Sequence, residues 1–291
     1  MSNPDRFLLA GVMGWPVTHS RSPALHNYWF AHYGLAGAYV PLAIAPDNLE
    51  GALRALAPLG FSGCNLTIPH KERALEVVDG VDQVARRIGA ISCVVVRQDG
   101  SLAGTNNDAY GFVHNILQEQ PGWRADEGPI VVIGAGGGAR AVVYSLAERG
   151  AREIRVMNRT RARADALARD FGPPVAALAW EERQRALDGA AMLVNTTSQG
   201  MVGQPPLDLP LDALPAHALV CDIVYVPLET PLLAAARRRG NRTVDGLGML
   251  LHQARRAWKA WFNLEPDVTP ELRRHVEATL RPIAVEDTKT G

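Results

Sequence analysis

Apolar residues change their spacing repeatedly along the chain, and each change marks an element. Phe7 to Met13, Ala38 to Ile44 and Gly60 to Ile68 are apolar runs bounded by Gly, Pro and polar clusters, the pattern of buried strands. Between them, Leu25 to Tyr33 and Asn48 to Leu59 place apolar residues three and four apart, which predicts amphipathic helices, the first opened by Pro23. A short helix rich in Ala, Leu and Val is predicted just after Lys71, and another over Val81 to Ile88. Gly89 to Val96 and Ser101 to Thr105 then read as strands around the turn Gln98-Asp99-Gly100. A helix runs on through Leu117, and the Pro/Gly-rich stretch Gln120 to Pro129 marks a domain crossing.

Beyond that break the rhythm becomes regular. Ile130 to Ile133, Glu153 to Asn158, Met192 to Asn195 and Leu219 to Tyr225 read as strands. Helical patterns stand between them, after the glycines at 134–138 and at Ala162 to Asp170 and Glu181 to Leu187. Such alternation predicts a parallel sheet covered on both faces, with ligand at the carboxyl ends of its strands. Asp245 to Gln253 opens a long helix with Trp258 and Trp261 on its periodic face, and a polar tail follows Ala284. The expected architecture is therefore α/β in two domains: a Rossmann-type domain over 113–245 and an α/β substrate domain over 1–112. Helices over 246–291 return to the substrate domain, and a cleft separates the two.

Composition narrows the function. An apolar fraction of 47% indicates a packed globular chain, and thirty basic against thirty acidic side chains leave no net charge to recruit nucleic acid or anionic lipid. A small-molecule substrate fits better. Cys64, Cys93 and Cys221 are too few and too scattered for a disulfide framework or a metal site. No apolar run is long enough to span a bilayer and the N-terminus lacks a signal core, so the expected location is cytoplasmic.

The strand Ile130 to Ile133 runs straight into Gly134-Ala135-Gly136-Gly137-Gly138-Ala139. In the spacing Gly134-x-Gly136-x-x-Ala139, the first glycine allows a sharp turn and the second lets backbone approach a pyrophosphate. The small residue at 139 lets helix and strand pack closely, and N–H groups at the helix start then face the phosphates. At the end of the next strand, where an NAD site usually carries Asp or Glu for the ribose 2′-hydroxyl, this chain has Asn158-Arg159-Thr160-Arg161-Ala162-Arg163. Guanidinium groups grip a 2′-phosphate through paired hydrogen bonds and no carboxylate repels it, so the cofactor expected is NADP.

Ser20 and Ser22 lie in a loop before a helix, where hydroxyls and free N–H groups can hold a small carboxylate; capping is the ordinary alternative. Lys71 follows a proline that ends a buried strand. Such a lysine is usually a solvated charge, but at a strand end opposite a cofactor it can exchange a proton. Asp108 would ordinarily be a helix cap, and its functional reading requires Lys71 to be within reach.

Together these segments resemble the shikimate/quinate dehydrogenase family over nearly the whole chain. Gly14-x-Pro16-x-x-His19-Ser20-x-Ser22-Pro23-x-x-His26-Asn27 is similar to its substrate-carboxylate loop, and Asn65-x-Thr67-x-Pro69-x-Lys71-Glu72 to its catalytic-lysine segment. Asn106-x-Asp108 resembles its catalytic aspartate motif and Asn158-Arg159-Thr160-x-x-Arg163 its NADP clamp. Asn195-x-Thr197-Ser198-x-Gly200-Met201 and Asp245-Gly246-x-x-Met249-Leu250-x-x-Gln253 resemble further cofactor and substrate motifs. The resemblance implies reversible, NADP-dependent reduction of 3-dehydroshikimate to shikimate on the route to aromatic amino acids, by a monomer or homodimer. It implies Lys71 and Asp108 as the catalytic pair, and Ser20, Ser22, Thr67 and Tyr225 around the carboxylate. Asn65, Asp108 and Gln253 would hold ring hydroxyls. Thr196, Thr197, Ser198, Ile223, Gly246 and Met249 would join the glycine turn and the arginine clamp in holding cofactor.

Two motifs depart from the family pattern. Where it reads Gly-Ala-x-Asn-Thr this chain has Gly89-Ala90-Ile91-Ser92-Cys93, and where it reads Asn-Thr-Asp-Gly this chain has Asn106-Asn107-Asp108-Ala109. Ser92 stands where the resemblance implies an amide bonding a ring hydroxyl. Either Asn107 replaces it in part, or the pocket takes a related substrate such as quinate, an aminated analogue or another cyclic hydroxy acid, or the change is neutral. An NADP-binding sensor that has lost catalysis is the reading from a different class; retention of Lys71 and Asp108 speaks against it.

Overall fold

A computed structural model describes residues 7–280. Six strands form the first sheet: β1 (Leu8–Gly14), β2 (Gly37–Ala43), β3 (Gly63–Leu66), β4 (Gly80–Val81), β5 (Cys93–Val96) and β6 (Leu102–Thr105), in the order β2-β1-β3-β5-β6-β4. β1 runs parallel to β2 and β3, whereas β5 runs antiparallel to both β3 and β6. In the β3–β5 register Asn65 stands opposite Cys93, so both side chains leave the same face of the sheet. The helices of this half are α1 (Ser22–His32), α2 (Leu49–Ala55), α3 (His70–Arg73) and α4 (Gln83–Ile88).

α5 (Asp108–Glu119) leads to the second sheet, β7 (Ile130–Ile133), β8 (Ile154–Met157), β9 (Val175–Ala177), β10 (Met192–Asn195), β11 (Leu219–Asp222) and β12 (Arg242–Val244). All of its ladders are parallel, in the order β12-β11-β10-β7-β8-β9. The chain winds outward from β7 through β8 and β9, then outward again the other way from β10. The crevice between the ends of β7 and β10 is the switch point at which such sheets receive ligands. Covering helices are α6 (Gly137–Glu148), α7 (Arg161–Phe171), α8 (Arg183–Leu187) and α9 (Pro231–Arg238); α10 (Leu247–Phe262) and α11 (Pro270–Ala278) return to the first sheet.

Each sheet is sandwiched. Trp29, Tyr39, Leu251 and Trp258 fill one face of the first and Met13, Leu53, Cys64 and Ile91 the other. Val132, Val143 and Val156 lie on one face of the second, Ile133, Leu193 and Val220 on the other. Near-continuous apolar runs in β7 and β10 are what burial on both faces demands. α5 and α10 pack against each other so closely that a Cβ at Gly248 would lie 1.8 Å from Asn115 Oδ1. Phe112, Val113 and Ile116 of α5 belong to the core of the second sheet.

Several elements differ from the sequence expectation. α5 runs unbroken through residues 112 and 113, so a boundary there falls inside a helix; the irregular stretch of 120–129 is the break in regular structure. The helix expected just after Lys71 is instead a four-residue turn from His70 that collapses into a 3-10 turn at Ala74–Glu76. The helix expected from Val81 starts at Gln83, because the Asp82 carboxylate caps it by accepting from Ala85 N (2.6 Å) and Gly80–Val81 pairs with β6. Edge strands β9 and β12, with helices α9 and α11, are additions to the expected elements. Three residues at an edge set no readable period. The polar tail after Ala284 lies outside the described residues.

Candidate active site

β3 ends at Leu66 and delivers Thr67, Ile68 and Pro69 into α3, so Lys71 leaves the first turn beside the strand end. α5 begins at Asp108. The two side chains meet, Lys71 Nζ donating to Asp108 Oδ2 at 2.5 Å, with 19% and 7% of each side chain exposed. Asp108 is aimed from behind: its N–H donates to Asn106 Oδ1 (3.0 Å), while Asn106 Nδ2 donates to Ala90 O (2.8 Å). Ile91 N–H donates to Lys71 O (2.7 Å), tying the lysine backbone to the strand entering β5.

The glycine turn faces this pair. A Cβ at Gly137, at the start of α6, would stand 3.3 Å from Lys71 Cβ and 3.4 Å from its Cδ. Gly134 has φ +117°, and a side chain there would strike Thr196 Oγ1. Around Gly136, by contrast, a Cβ would meet nothing within 4 Å among the described residues, and none of their side chains caps α6. Free N–H groups at a helix start with open space before them suit a pyrophosphate. At the end of β8, Asn158 Nδ2 donates to Thr160 O (2.9 Å) and shapes the turn. Arg161 is committed to Asp165 (2.8 Å), and Arg163 reaches Glu72 only at 3.8 Å. Arg159 is exposed and has no ion-pair partner among the described residues. These residues fit the 2′-phosphate of NADP.

The rim of the second sheet is built from a buried network. Asn195 Oδ1 accepts from Thr197 N–H (3.1 Å) and hydroxyl (2.8 Å), and Asn195 Nδ2 donates to Asp222 Oδ1 (3.0 Å). Thr230 donates to Asp222 Oδ2 (2.7 Å) and Thr196 to Ile133 O (2.7 Å). Burial pushes the Asp222 carboxyl up to about 6 against the hydrogen bonds that favour its charge. Ser198 is exposed beside this network. Ile223 lines it, 3.0 Å from where a Gly138 Cβ would be, and its carbonyl lies 2.3 Å from where a Gly246 Cβ would be. Met249, 9% exposed, follows in α10.

Polar residues of the first sheet converge nearby. Ser22 N–H donates to Ser20 Oγ (3.3 Å), and Thr67 lies against Gly14 at the loop carrying them. Tyr39, which in the sequence reads only as a strand aromatic, donates its hydroxyl to Asn65 Oδ1 (2.7 Å). Asn65 Nδ2 donates to Ser92 O (3.2 Å) and Gln253 Oε1 (3.3 Å), and Gln253 Nε2 donates to Leu250 O (3.1 Å). Burial pushes Tyr39 well above the usual phenol range, so it remains a donor. Burial also raises Tyr225 above the usual phenol range. Ser92 Oγ accepts from the N–H of Asn107 (2.8 Å), while Asn107 Nδ2 is buried with no hydrogen-bond partner among the described residues.

Among the described residues no three His, Cys, Asp or Glu side chains group as metal ligands, and no helix is long and apolar enough to cross a membrane. The three cysteines are buried thiols.

Comparison with known proteins agrees with this geometry. The family description "Shikimate dehydrogenase substrate binding domain" matches residues 12–94, "Shikimate / quinate 5-dehydrogenase" 117–202, and "Shikimate 5'-dehydrogenase C-terminal domain" 246–270. Shikimate dehydrogenase (NADP(+)) of Paramagnetospirillum magneticum is 57% identical over 268 residues, covering 92% of this chain and 97% of its own. That of Rhodospirillum rubrum is 56% identical, covering 92% and 96%. The fold superposes on shikimate 5-dehydrogenase of Thermus thermophilus, solved with NADP(H) and shikimate, at a TM-score of 0.83, 36% identity and coverage of 94% and 100%. Quinate dehydrogenase of Corynebacterium glutamicum, solved with NAD, gives a TM-score of 0.84, 32% identity and coverage of 94% and 99%. With its sequence matched in all three segments and an amine–carboxylate pair set against a glycine turn, the chain belongs to the shikimate dehydrogenase family.

Proposed function

We propose that this protein interconverts 3-dehydroshikimate and shikimate with NADP, Lys71 and Asp108 carrying the proton. The observation that supports this most directly is the buried contact between Lys71 Nζ and Asp108 Oδ2 beside the glycine turn. Bound with its phosphates at the start of α6 and its 2′-phosphate at Arg159 and Arg163, NADP supplies or accepts the hydride. The chain does the rest by orientation and proton transfer. In the reducing direction Lys71 gives its proton to the carbonyl oxygen as hydride reaches the carbon, and Asp108 steadies the amine. In the oxidising direction the hydroxyl proton returns to the pair. Ser20, Ser22, Thr67 and Tyr225 receive the carboxylate, while Asn65, Asp108, Asn107 and Gln253 hold ring hydroxyls.

Gly134 to Ala139 and Asn158, Arg159, Thr160 and Arg163 hold cofactor, with Thr196, Thr197, Ser198, Ile223, Gly246 and Met249 completing the rim. A second reading, quinate or another cyclic hydroxy acid, is favoured by one feature: Ser92 Oγ is occupied by the Asn107 N–H, leaving the Asn107 amide to serve the hydroxyl in that corner. NADP reduction followed with shikimate, quinate and related ring acids separates the readings. Turnover is expected to be fastest with shikimate; preference for another acid overturns the substrate, and no turnover with any, despite NADP binding, overturns the enzyme.

A further inference from the structure

Tyr39 belongs to none of the motifs singled out in the sequence, yet the polar groups of the substrate pocket converge on it. Its ring stacks on that of His26, centroids 3.9 Å apart and planes 3° from parallel, and His26 Nδ1 accepts from Trp258 Nε1 (2.6 Å). Its backbone is clamped by Asn27, whose Oδ1 accepts from Tyr39 N–H (2.8 Å) and whose Nδ2 donates to Tyr39 O (3.0 Å). A phenylalanine would fill the same stack. The hydroxyl, on a residue 1% exposed, adds a hydrogen bond: it donates to Asn65 Oδ1.

We infer that Tyr39 is a positioning residue for substrate, its hydroxyl deciding which end of the Asn65 amide faces the ring. This rests on the shikimate dehydrogenase reading proposed above. A side-chain amide has one donating and one accepting end and can reverse them at little cost in shape. With Tyr39 donating to Oδ1, Nδ2 must point to Ser92 O and Gln253 Oε1. Gln253 is held in the matching sense because its own Nε2 is spent on Leu250 O. Polarity thus runs one way from Tyr39 through Asn65 to α10.

The test is Tyr39→Phe in the full chain with NADP. The shikimate KM is expected to rise about tenfold, with the NADP KM within about twofold and kcat within about threefold. In an Asn65→Ala background the same change adds less than about twofold, since the amide through which it acts is gone. Asn27→Ala, on the exposed side of α1, shifts the shikimate KM the same way by less, and supplies the answer should Tyr39→Phe fail to fold. A shikimate KM within about twofold of wild type overturns the inference, as does an equal rise for shikimate and NADP. If wild type prefers another ring acid, the substrate reading falls while the same KM comparison on that acid still decides Tyr39. With no turnover at all, hydrogen exchange of the Asn65 side-chain amide decides it: equal rates in wild type and Tyr39→Phe reject the inference.

Discussion

Lys71 and Asp108 are 37 residues apart in the chain and share one hydrogen bond at 2.5 Å. Lys71→Ala is expected to lower kcat by about a hundredfold or more, the usual worth of a placed proton donor. NADP affinity measured by calorimetry stays near wild type, and equal loss of both rejects the assignment. The pair is legible in the sequence because each partner sits in a dense motif. Tyr39 is not, because an aromatic in a run such as Ala38 to Ile44 looks like core, and its use depends on Asn65 arriving from another strand. Asn107 lies between these cases. Sequence flags it against the family pattern, but only structure reveals the orphaned Nδ2. Asn107→Thr is expected to cut shikimate kcat/KM by about one to two decades; an unchanged value means the amide serves no ring hydroxyl.

At the scale of elements, the ends of β10 and β11 are held by one buried carboxylate. Asp222 accepts from Asn195, Thr230 and the N–H of Val224 (3.0 Å), and burial raises it to about 6. The folded protein therefore keeps a proton that the unfolded chain releases near pH 4. Stability from this group is complete below that pH and is lost as pH rises to about 6, on the order of 3 kcal/mol in all. Asp222→Asn, whose Oδ1 can still accept from Asn195 and Val224 while its Nδ2 donates to the Thr230 hydroxyl, should remove this fall. Melting curves of the two proteins, compared between pH 4 and 7, are expected to diverge as pH rises, and parallel curves reject the sign. Central strands such as β7 and β10 can be read from their apolar runs. The two- and three-residue edges β4, β9 and β12 cannot, since pairing with a neighbour defines them rather than any pattern of their own.

Across the whole molecule, the two sheets are also joined away from the catalytic pair. Arg87 of α4 donates to the carbonyls of Asp170 and Phe171 at the end of α7 (both 3.0 Å), where the helix dipole favours a cation. Arg140 of α6 donates to Ile88 O and pairs with Asp170 (2.9 Å), and both guanidiniums lie against the Phe171 ring, at 5.3 and 5.6 Å. Losing the two carbonyl bonds in Arg87→Ala is expected to cost about 1–2 kcal/mol, a fall of a few degrees in melting temperature by calorimetry. A fall below one degree means solvent replaces them freely. No motif announces this clasp, because arginines on helices are ordinarily solvated and only the meeting of three helices gives these two a task.

The bare backbone at Gly137 ties the halves together in another way. The glycine turn at the start of α6 and the aliphatic stem of Lys71 meet here, a Cβ at residue 137 falling 3.3 Å from Lys71 Cβ. A single methyl group added there would press on the lysine stem, which would have to give by a few tenths of an ångström. Mutational drift in either lobe is therefore answerable to the other at this spot, and any side chain larger than alanine at residue 137 would compete for space with the stem that carries the amine.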